Sequence, residues 1–355
     1  MSIKEFREKT KLSQSQFADR FGISVRTVQK WEQGQSTPPQ YVLSMIEKQI
    51  EEAPKVAAKI CILGHGSFGK AIESLLKRLG YKPIVWTRNK NIKACVQDCD
   101  YLFFAVPAQA FRQVLTKASP YVGDAVIINL AKGIEIGTMK RLSEVAEEVI
   151  PGCRYVALSG PSHAEEIQLN LPTNICAASK YSELSKNVQD LLFSEFFRVY
   201  TNNDLIGVEI GGAVKNVIAL ACGIAEGLGF GDNAKAALIT RGLAEMARLG
   251  EKMGADKSSF FGLSGVGDLI VTCDSMYSRN RRCGLLLGKG LSVEEASTIV
   301  GQTVEGITTC VAAHELSQQL NVDMPITNFM YHFVNGDISL YEATDMLLSR
   351  NRKEE

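Results

Sequence analysis

Four short stretches of this chain hold residue types that could do proton and phosphate chemistry together. Lys132 lies in Ala131-Lys132-Gly133-Ile134-Glu135, directly after the apolar run Ala125–Leu130. Lys215 lies in Gly211-Gly212-Ala213-Val214-Lys215-Asn216, within a long apolar segment. A lysine among buried neighbours is costly to charge, so its pKa falls and it can exchange a proton near neutrality. The usual alternative is a side chain that snorkels to the surface. The small residues and Asn216 beside Lys215 favour a polar cleft. Lys132, at the carboxyl end of a strand run, falls in the ligand crevice of a doubly wound sheet or reaches solvent. A glycine turn, Gly262-Leu-Ser-Gly265-Val-Gly267, delivers Asp268 to the start of an apolar helix, where a carboxylate also suits the helix dipole. Ser278-Arg279-Asn280-Arg281-Arg282 gathers cations and hydrogen-bond donors. A guanidinium flanked by Ser and Asn binds phosphate oxygens well, although the same cluster is unremarkable as a solvated turn.

A fifth stretch has a different use. Ile60–Leu63 reads as a buried strand entering Gly64-His-Gly66-Ser67-Phe68-Gly69, and a helical face follows at Ala71, Ile72, Leu75, Leu76 and Leu79. This is the form of a dinucleotide-binding βαβ unit. Gly64 permits the tight turn, Gly66 lets a pyrophosphate approach, and Gly69 lets helix and strand pack closely. The helix N-terminus supplies N–H groups and a positive dipole end. After the next strand, Pro83–Trp86, an NAD-specific site would place a carboxylate for the ribose 2′-hydroxyl. Arg88 and Lys90 stand there instead, which suits the 2′-phosphate of NADP, although loops after strands often carry such cations as plain solvated charges.

The elements that must position these residues alternate strand and helix from residue 59. Strands are expected at Tyr101–Val106, Ala125–Leu130, Tyr155–Leu158 and Pro172–Ala178, the last closing the strand-rich half. Near Asn202 the pattern changes to long helices, at 205–228 and 234–253, with the final helices reaching about Arg350 and a tail at 351–355. Residues 1–50 read as a separate helical module. Ser13 and Gln16 make a capping box, Gly22 breaks the helix, and Ser24 caps a second with Val25, Val28 and Trp31 inward. Pro38-Pro39 opens another amphipathic helix through Tyr41, Val42, Met45 and Ile46. The expected divisions are a module at 1–50, a linker at 51–58, an α/β Rossmann doubly wound sheet domain at 59–201 and an all-α C-terminal domain at 202–350.

Bulk properties narrow the classes. Over 355 residues, Lys+Arg and Asp+Glu both number 39, so overall charge points to no nucleic-acid partner. Residues 1–50 nevertheless carry a net +3 and the remainder a net −3. The nine cysteines are scattered, with Cys61, Cys176 and Cys222 in apolar runs, and the four histidines are isolated, so no metal site is expected. No signal region or spanning run is evident, and a reducing cytoplasm is the expected compartment, with no membrane partner.

Two resemblances follow. Leu12-Ser-Gln-Ser-Gln-Phe-Ala-Asp-Arg-Phe-Gly-Ile-Ser-Val-Arg-Thr-Val-Gln-Lys-Trp-Glu-Gln-Gly34 resembles the phage-repressor type of helix-turn-helix domain. That implies a second helix in the DNA major groove, with Ser24, Arg26, Thr27 and Lys30 facing bases and phosphates and Gln14 and Gln16 on the backbone. A small helical adaptor has the same pattern, and +3 is low for tight phosphate neutralisation. Residues 59–350 resemble bacterial NAD(P)-dependent glycerol-3-phosphate dehydrogenases. The resemblance rests on the glycine turn, Ala131–Glu135, Leu158-Ser-Gly-Pro-Ser-His-Ala-Glu165, Ile206–Asn216, Asn233–Met246, Gly262–Leu269 and Ser278–Arg282.

The second resemblance implies the roles. Lys215 is the general acid/base, with Asp268 and Lys132 beside it. Gly64, Gly66, Ser67, Phe68, Gly69, Arg88, Lys132, Ala164, Arg279, Thr303 and Glu305 meet the cofactor. Gly160, Ser162, Lys132, Lys215, Asp268, Ser278, Arg279 and Asn280 meet the substrate. The family uses NAD(P), and Arg88 in the place of a carboxylate favours NADPH/NADP over NADH/NAD. The resemblance implies a homodimer that interconverts dihydroxyacetone phosphate and sn-glycerol 3-phosphate for phospholipid synthesis. His65 departs mildly from the family pattern, and the N-terminal module departs strongly. A transcriptional regulator that uses the dehydrogenase body as a metabolite sensor is the alternative. A reductase acting on a 2-keto acid would lack use for the Ser278-Arg279-Asn280 cluster.

Overall fold

The computed structural model describes residues 2–10, 12–51 and 58–342. The expected linker falls largely on 52–57, and the C-terminal stretch to Arg350 with its tail begins at 343; both lie outside the described residues. The chain forms two compact units, Met1–Ala57 and Ala58–Glu355.

The first unit is four helices: α1 (Ile3–Thr10), α2 (Gln14–Phe21), α3 (Val25–Glu32) and α4 (Gln40–Glu51). Ser13 Oγ accepts the N–H of Gln16, whose side chain accepts the N–H of Ser13, and Gly22 closes α2 at φ 64°. Ser24 Oγ accepts the N–H of Thr27 at 3.1 Å. The core gathers Ile3, Phe6, Phe17, Ala18, Phe21, Val28, Val42 and Ile46. Helix α1 has no clear signal in the sequence, since Ile3 and Phe6 are its only apolar residues. It is held by those two and by Arg7, which pairs with Glu32 at 2.6 Å. Of the expected apolar face of α4, Val42 and Ile46 are buried, whereas Tyr41 is 73% and Met45 39% exposed. The two stripes lie one residue apart, about 100° around the helix, and α4 buries only one against this small core.

The second unit begins with a seven-stranded sheet: β1 (Ile60–Leu63), β2 (Ile84–Trp86), β3 (Tyr101–Phe104), β4 (Val126–Asn129), β5 (Tyr155–Ser159), β6 (Thr173–Ala178) and β7 (Phe197–Asn202). The order is β2-β1-β3-β4-β5-β6-β7, and every neighbouring pair is parallel except β5 with β6. The strand order reverses between β1 and β3, where such sheets bind ligands. Strand β7 was not expected. Arg198, Tyr200 and Thr201 are exposed along it, so it reads as a half-solvated edge and not as an apolar run. Helices α5 (Ser67–Arg78), α6 (Ile92–Val96), α7 (Ala108–Ala118), α8 (Leu142–Val149), α9 (Ala164–Gln168) and α10 (Ser182–Leu192) connect the strands. Two apolar layers result, one on each face of the sheet.

The helices that follow are α11 (Leu205–Gly227), α12 (Asp232–Lys252), α13 (Asp268–Asp274), α14 (Arg279–Gly288), α15 (Val293–Val300), α16 (Glu305–Leu320) and α17 (Pro325–Asn335). Helix α11 is the axis, packed by α12, α13, α14 and α16. Among the described residues it is the one helix long and apolar enough to cross a membrane, yet 89% of that window is buried inside the protein. Its apolarity is that of a core helix. It crosses α14 at backbone contact. A Cβ on Gly223 or Gly227 would collide with the Arg281 or Leu285 carbonyl, and one on Gly284 or Gly288 with Leu220 or Ile224. That close crossing sets the start of α14, with its Ser278-Arg279-Asn280 stretch, against α11.

Candidate active site

The glycine turn forms between β1 and α5. Gly64 has φ +106°, and a Cβ there would strike the Ala105 carbonyl at the end of β3, so only glycine fits this approach. Gly66 is the N-cap of α5 and offers no side-chain cap, and the space beyond its Cα is open. The first N–H groups of α5 are thus left to an anion, as a pyrophosphate site requires. Ser67 Oγ reaches Gln302 at 3.3 Å, and Phe68 packs partly buried against the β1 layer. His65 turns away to pair with Glu73 at 2.7 Å. Arg88 follows β2 on the surface, exposed. Lys90 folds back to the Val85 carbonyl at 2.7 Å.

Opposite the turn, three elements deliver a charge cluster. Asn129 at the end of β4 brackets Ala131, accepting its N–H and donating to its carbonyl, both at 3.0 Å, and so aims the next residue. Lys132 Nζ donates to Gly160 O at 2.9 Å and to Asp268 Oδ2 at 2.7 Å. From α11, Lys215 Nζ contacts the other oxygen, Asp268 Oδ1, and donates to Thr272 Oγ1 at 2.7 Å. Asp268 is 1% and Lys215 5% exposed. One carboxylate therefore bridges two lysines inside the protein. Burial alone would raise the Asp268 pKa, but the Lys132 and Lys215 ammonium groups bring it below the ordinary value. Burial lowers Lys215 to about 7, with Asp268 opposing and Lys132 reinforcing the fall. The snorkelling alternative for Lys215 is excluded by its burial, and the role of Asp268 exceeds that of a helix-dipole partner.

The loop after β5 adds Gly160, at φ +142°, and Ser162, whose Oγ donates to the Gly160 carbonyl at 2.8 Å. Ala164 starts α9, buried. His163 between them is held low, first by burial and then by the Lys215 charge, and its ring lies 5.8 Å from that of Tyr277. Ser278 caps α14 by accepting the Arg281 N–H, which leaves its hydroxyl proton available. Arg279 is exposed. Asn280 is drawn inward, donating to Asn216 Oδ1 at 2.9 Å and accepting the Gly306 N–H at 2.8 Å. Asn216 in turn reaches the Lys132 carbonyl at 3.3 Å. This amide relay ties the phosphate-type cluster to Lys132, and no spacing in the sequence signals it. Arg281 is spent on Glu226, at 2.8 and 2.7 Å. Thr303, beside the Gln302 that meets Ser67, is exposed.

Three buried side-chain oxygens near Lys132 and Gly133 have no partner: Ser159 Oγ, Glu305 Oε2 and Thr309 Oγ1. A Cβ on Gly133 would sit 3.7 Å from both of the last two. The other Glu305 oxygen accepts the Ala108 N–H at 3.2 Å, burial raises the Glu305 pKa, and Arg279 opposes the rise. Buried polar atoms without partners are costly. Glu305 and Thr309 face Gly133 of the β4 loop, and Ser159 faces Gly212 of α11; the polar end of a dinucleotide would satisfy such atoms. The open Gly66 cradle and these atoms fit a bound nicotinamide cofactor. Among the described residues, no group of three His, Cys, Asp or Glu side chains is placed to hold a metal ion. A cleft of about 1040 Å³ lies elsewhere, between the β7 end and Gly262–Ser264. Lys132, Lys215 and Asp268 do not line that cleft.

In the first unit Arg26 and Lys30 on α3 are exposed. Gln14 and Gln16 are engaged internally: Gln14 Nε2 donates to Glu32 at 2.7 Å, and Gln16 completes the cap with Ser13.

Comparison with known proteins agrees with this geometry. Residues 88–185 match the family described as NAD-dependent glycerol-3-phosphate dehydrogenase N-terminus, and residues 204–345 match its C-terminus. Residues 3–52 match a helix-turn-helix family. The chain is 43% identical to the glycerol-3-phosphate dehydrogenase (NAD(P)+) of Clostridium perfringens, over 84% of this chain and 99% of that one. It is 45% identical to the enzyme of the same name from Bacillus cereus, over 84% and 97%. The crystal structure of glycerol-3-phosphate dehydrogenase from Coxiella burnetii superposes with a TM-score of 0.80 at 36% identity, over 83% of this chain and all of that one. With these matches, the chain belongs to the NAD(P)-dependent glycerol-3-phosphate dehydrogenase family and carries an N-terminal helix-turn-helix domain.

Proposed function

We propose that this chain reduces dihydroxyacetone phosphate, reversibly, to sn-glycerol 3-phosphate. NADPH is preferred to NADH, and the product feeds glycerophospholipid synthesis in the cytoplasm. The observation that carries the reading is the buried carboxylate of Asp268 shared by Lys132 and Lys215. The cofactor, when bound, supplies the hydride. Gly64, Gly66, Ser67, Phe68 and Gly69 hold its pyrophosphate side, Arg88 its 2′-phosphate, and Ala164, Thr303 and Glu305 its remaining length, with Arg279 and Lys132 adjoining. Lys215 gives a proton from Nζ to the ketone oxygen and takes it back in the reverse direction. A pKa of about 7 suits both tasks near neutral pH. Asp268 and Thr272 hold Lys215 in place, and Lys132 polarises the carbonyl beside Gly160 and Ser162. The Ser278 hydroxyl, the Arg279 guanidinium and the second amide hydrogen of Asn280 hold the substrate phosphate. Binding at that remote group orients the ketone. Domains at 59–201 and 202–350 divide these tasks.

The test is NADPH oxidation with dihydroxyacetone phosphate, run beside a 2-keto acid and on both the full chain and residues 55–355. Oxidation with the keto acid alone would overturn the substrate. A second reading concerns residues 1–50, and the helix-turn-helix match favours it. In this reading α3 enters the major groove of DNA through Ser24, Arg26, Thr27 and Lys30, and a homodimer presents two such helices to one operator. The intact Lys132–Asp268–Lys215 cluster argues against a body retained only as a sensor. A salt-dependent, sequence-selective shift of the chain's own promoter DNA supports the reading, and no shift at low salt removes it.

A further inference from the structure

Glu209 takes no part in the reading above, yet it is the most heavily bonded carboxylate among the described residues. It lies on α11, six residues before Lys215, at 8% exposure. Its two oxygens accept from Arg141 Nη1 at 2.8 Å, the Ser143 N–H at 2.9 Å, Ser143 Oγ at 2.5 Å and the Tyr155 hydroxyl at 2.9 Å. Each donor sits on a piece of chain that leads to the charge cluster. Tyr155 opens β5, whose far end passes into Gly160, the carbonyl that Lys132 contacts. Arg141 and Ser143 stand where the Lys132 loop ends and α8 begins. The other end of that loop is bracketed by Asn129, and Arg141 also pairs back to Ile134 as an isolated bridge. The loop is thus clamped at both ends, and its far clamp is the same carboxylate that fastens α11 to the sheet.

We propose that Glu209 is a positioning residue for the reaction: it sets the Lys132 loop against α11 so that Asp268 can span Lys132 and Lys215 at once. The geometry demands such a device. Lys132 and Lys215 come from elements 83 residues apart in the chain, and Asp268 meets them from a third. Helix α11 is rich in glycine and alanine, whose small side chains make no directed bonds of their own. A polar anchor with four directed bonds has one register, where an apolar face has several. This inference rests on the reading of Lys215 as the proton donor and adds a residue that does not touch the substrate.

The test uses the full chain with Glu209→Gln, Glu209→Asp and Tyr155→Phe, with Lys215→Ala in parallel. A misplacement of about 1 Å at a reacting centre costs up to 10²-fold in rate. Glu209→Gln is expected to lower kcat about 10- to 100-fold. The dihydroxyacetone phosphate KM and the NADPH dissociation constant, read by cofactor fluorescence, should stay within about threefold. The pH limb of kcat assigned to Lys215 should shift, because its spacing from Asp268, Lys132, His163 and Cys273 changes. Glu209→Asp keeps the charge but shortens the reach and should not restore kcat. Tyr155→Phe, which removes one donor and keeps the ring, should move kcat and the pH limb in the same direction by a smaller factor. Unchanged kcat and pH limb in Glu209→Gln, full recovery in Glu209→Asp, or a loss in every variant that follows only the folded fraction, would each overturn the proposal. Activity retained in Lys215→Ala would instead overturn the proton-donor reading on which it stands.

Discussion

At the ends of β1 and β3 the ligand crevice is lined by main chain: Gly64 against the Ala105 carbonyl, the open Gly66 cap, and the first turn of α5. Across the crevice, α11 and α13 present side chains, and these are buried charges bound to one another. The difference teaches where each kind of function is stored. In the proposed function a pyrophosphate rests on backbone N–H groups whose positions follow from the local turn, and the exposed Arg88 only adjusts the choice between cofactors. The proposed proton transfer rests on Lys132, Asp268 and Lys215, side chains that the fold brings together from three elements, with the two lysines lowering the pKa of Asp268. Perturbation should therefore be mild on the strand side and severe on the helical side.

The largest effect is expected from Asp268→Asn. It leaves the buried Lys215 and the half-buried Lys132 without their shared anion, and breaking a buried pair costs about 3–5 kcal/mol. Thermal unfolding should show this, and a drop smaller than that of an average surface variant would mean that the cluster is not mutually dependent. Next is Lys215→Ala, where kcat falls by more than about 10²-fold while NADPH binding on the backbone-built side persists. Near-normal turnover would remove Lys215 from the reaction. Third is pH. Lys215 is depressed to about 7, and reduction needs its protonated form. The rate of reduction should fall about tenfold per pH unit above that value, while oxidation, which needs the neutral amine, should rise with pH to the same point. A flat profile between pH 6 and 9 would break the assignment. Fourth is Arg279→Ala, which removes charge-assisted bonds worth about 1.5–3 kcal/mol and should raise the KM for dihydroxyacetone phosphate about tenfold or more. The smallest effect is expected on the strand side. Arg88→Asp should lower the NADPH-to-NADH preference several-fold with little loss of turnover, and an unchanged preference would return Arg88 to a solvated loop charge.

The strand side was the more legible in the sequence, for a local reason. A turn that needs positive φ and close backbone approach must spell itself with glycine, so Gly64–Gly69 announces its geometry within six residues. Capping is local too, and Ser13, Gln16 and Ser24 are found where their spacing puts them. Legibility failed where an element owes its existence to distant partners. Helix α1 has two apolar residues and is held by Arg7 on Glu32. Strand β7 has the composition of an exposed edge and is held by its pairing with β6. Tyr41 and Met45 read as core and face solvent, because periodicity does not say how wide a face the neighbours will cover. The Asn216–Asn280–Gly306 relay and the Glu209 anchor left no trace in spacing, since their members are tens of residues apart.

By itself the sequence determined the order of the parts: a capped helical module, a glycine turn for a dinucleotide with no acidic residue after its second strand, and lysines and an arginine cluster further on. Family motifs assigned tasks to those residues only by likeness. Tertiary structure alone decided which charges meet, namely that Asp268 stands between Lys132 and Lys215 and that Asn280 turns inward while Arg279 stays at the surface. The reason is that turns and caps are short-range, set by φ, ψ and neighbours a few residues away. The charge and pKa of a buried group are set by whatever the fold brings within a few ångströms, from any distance along the chain.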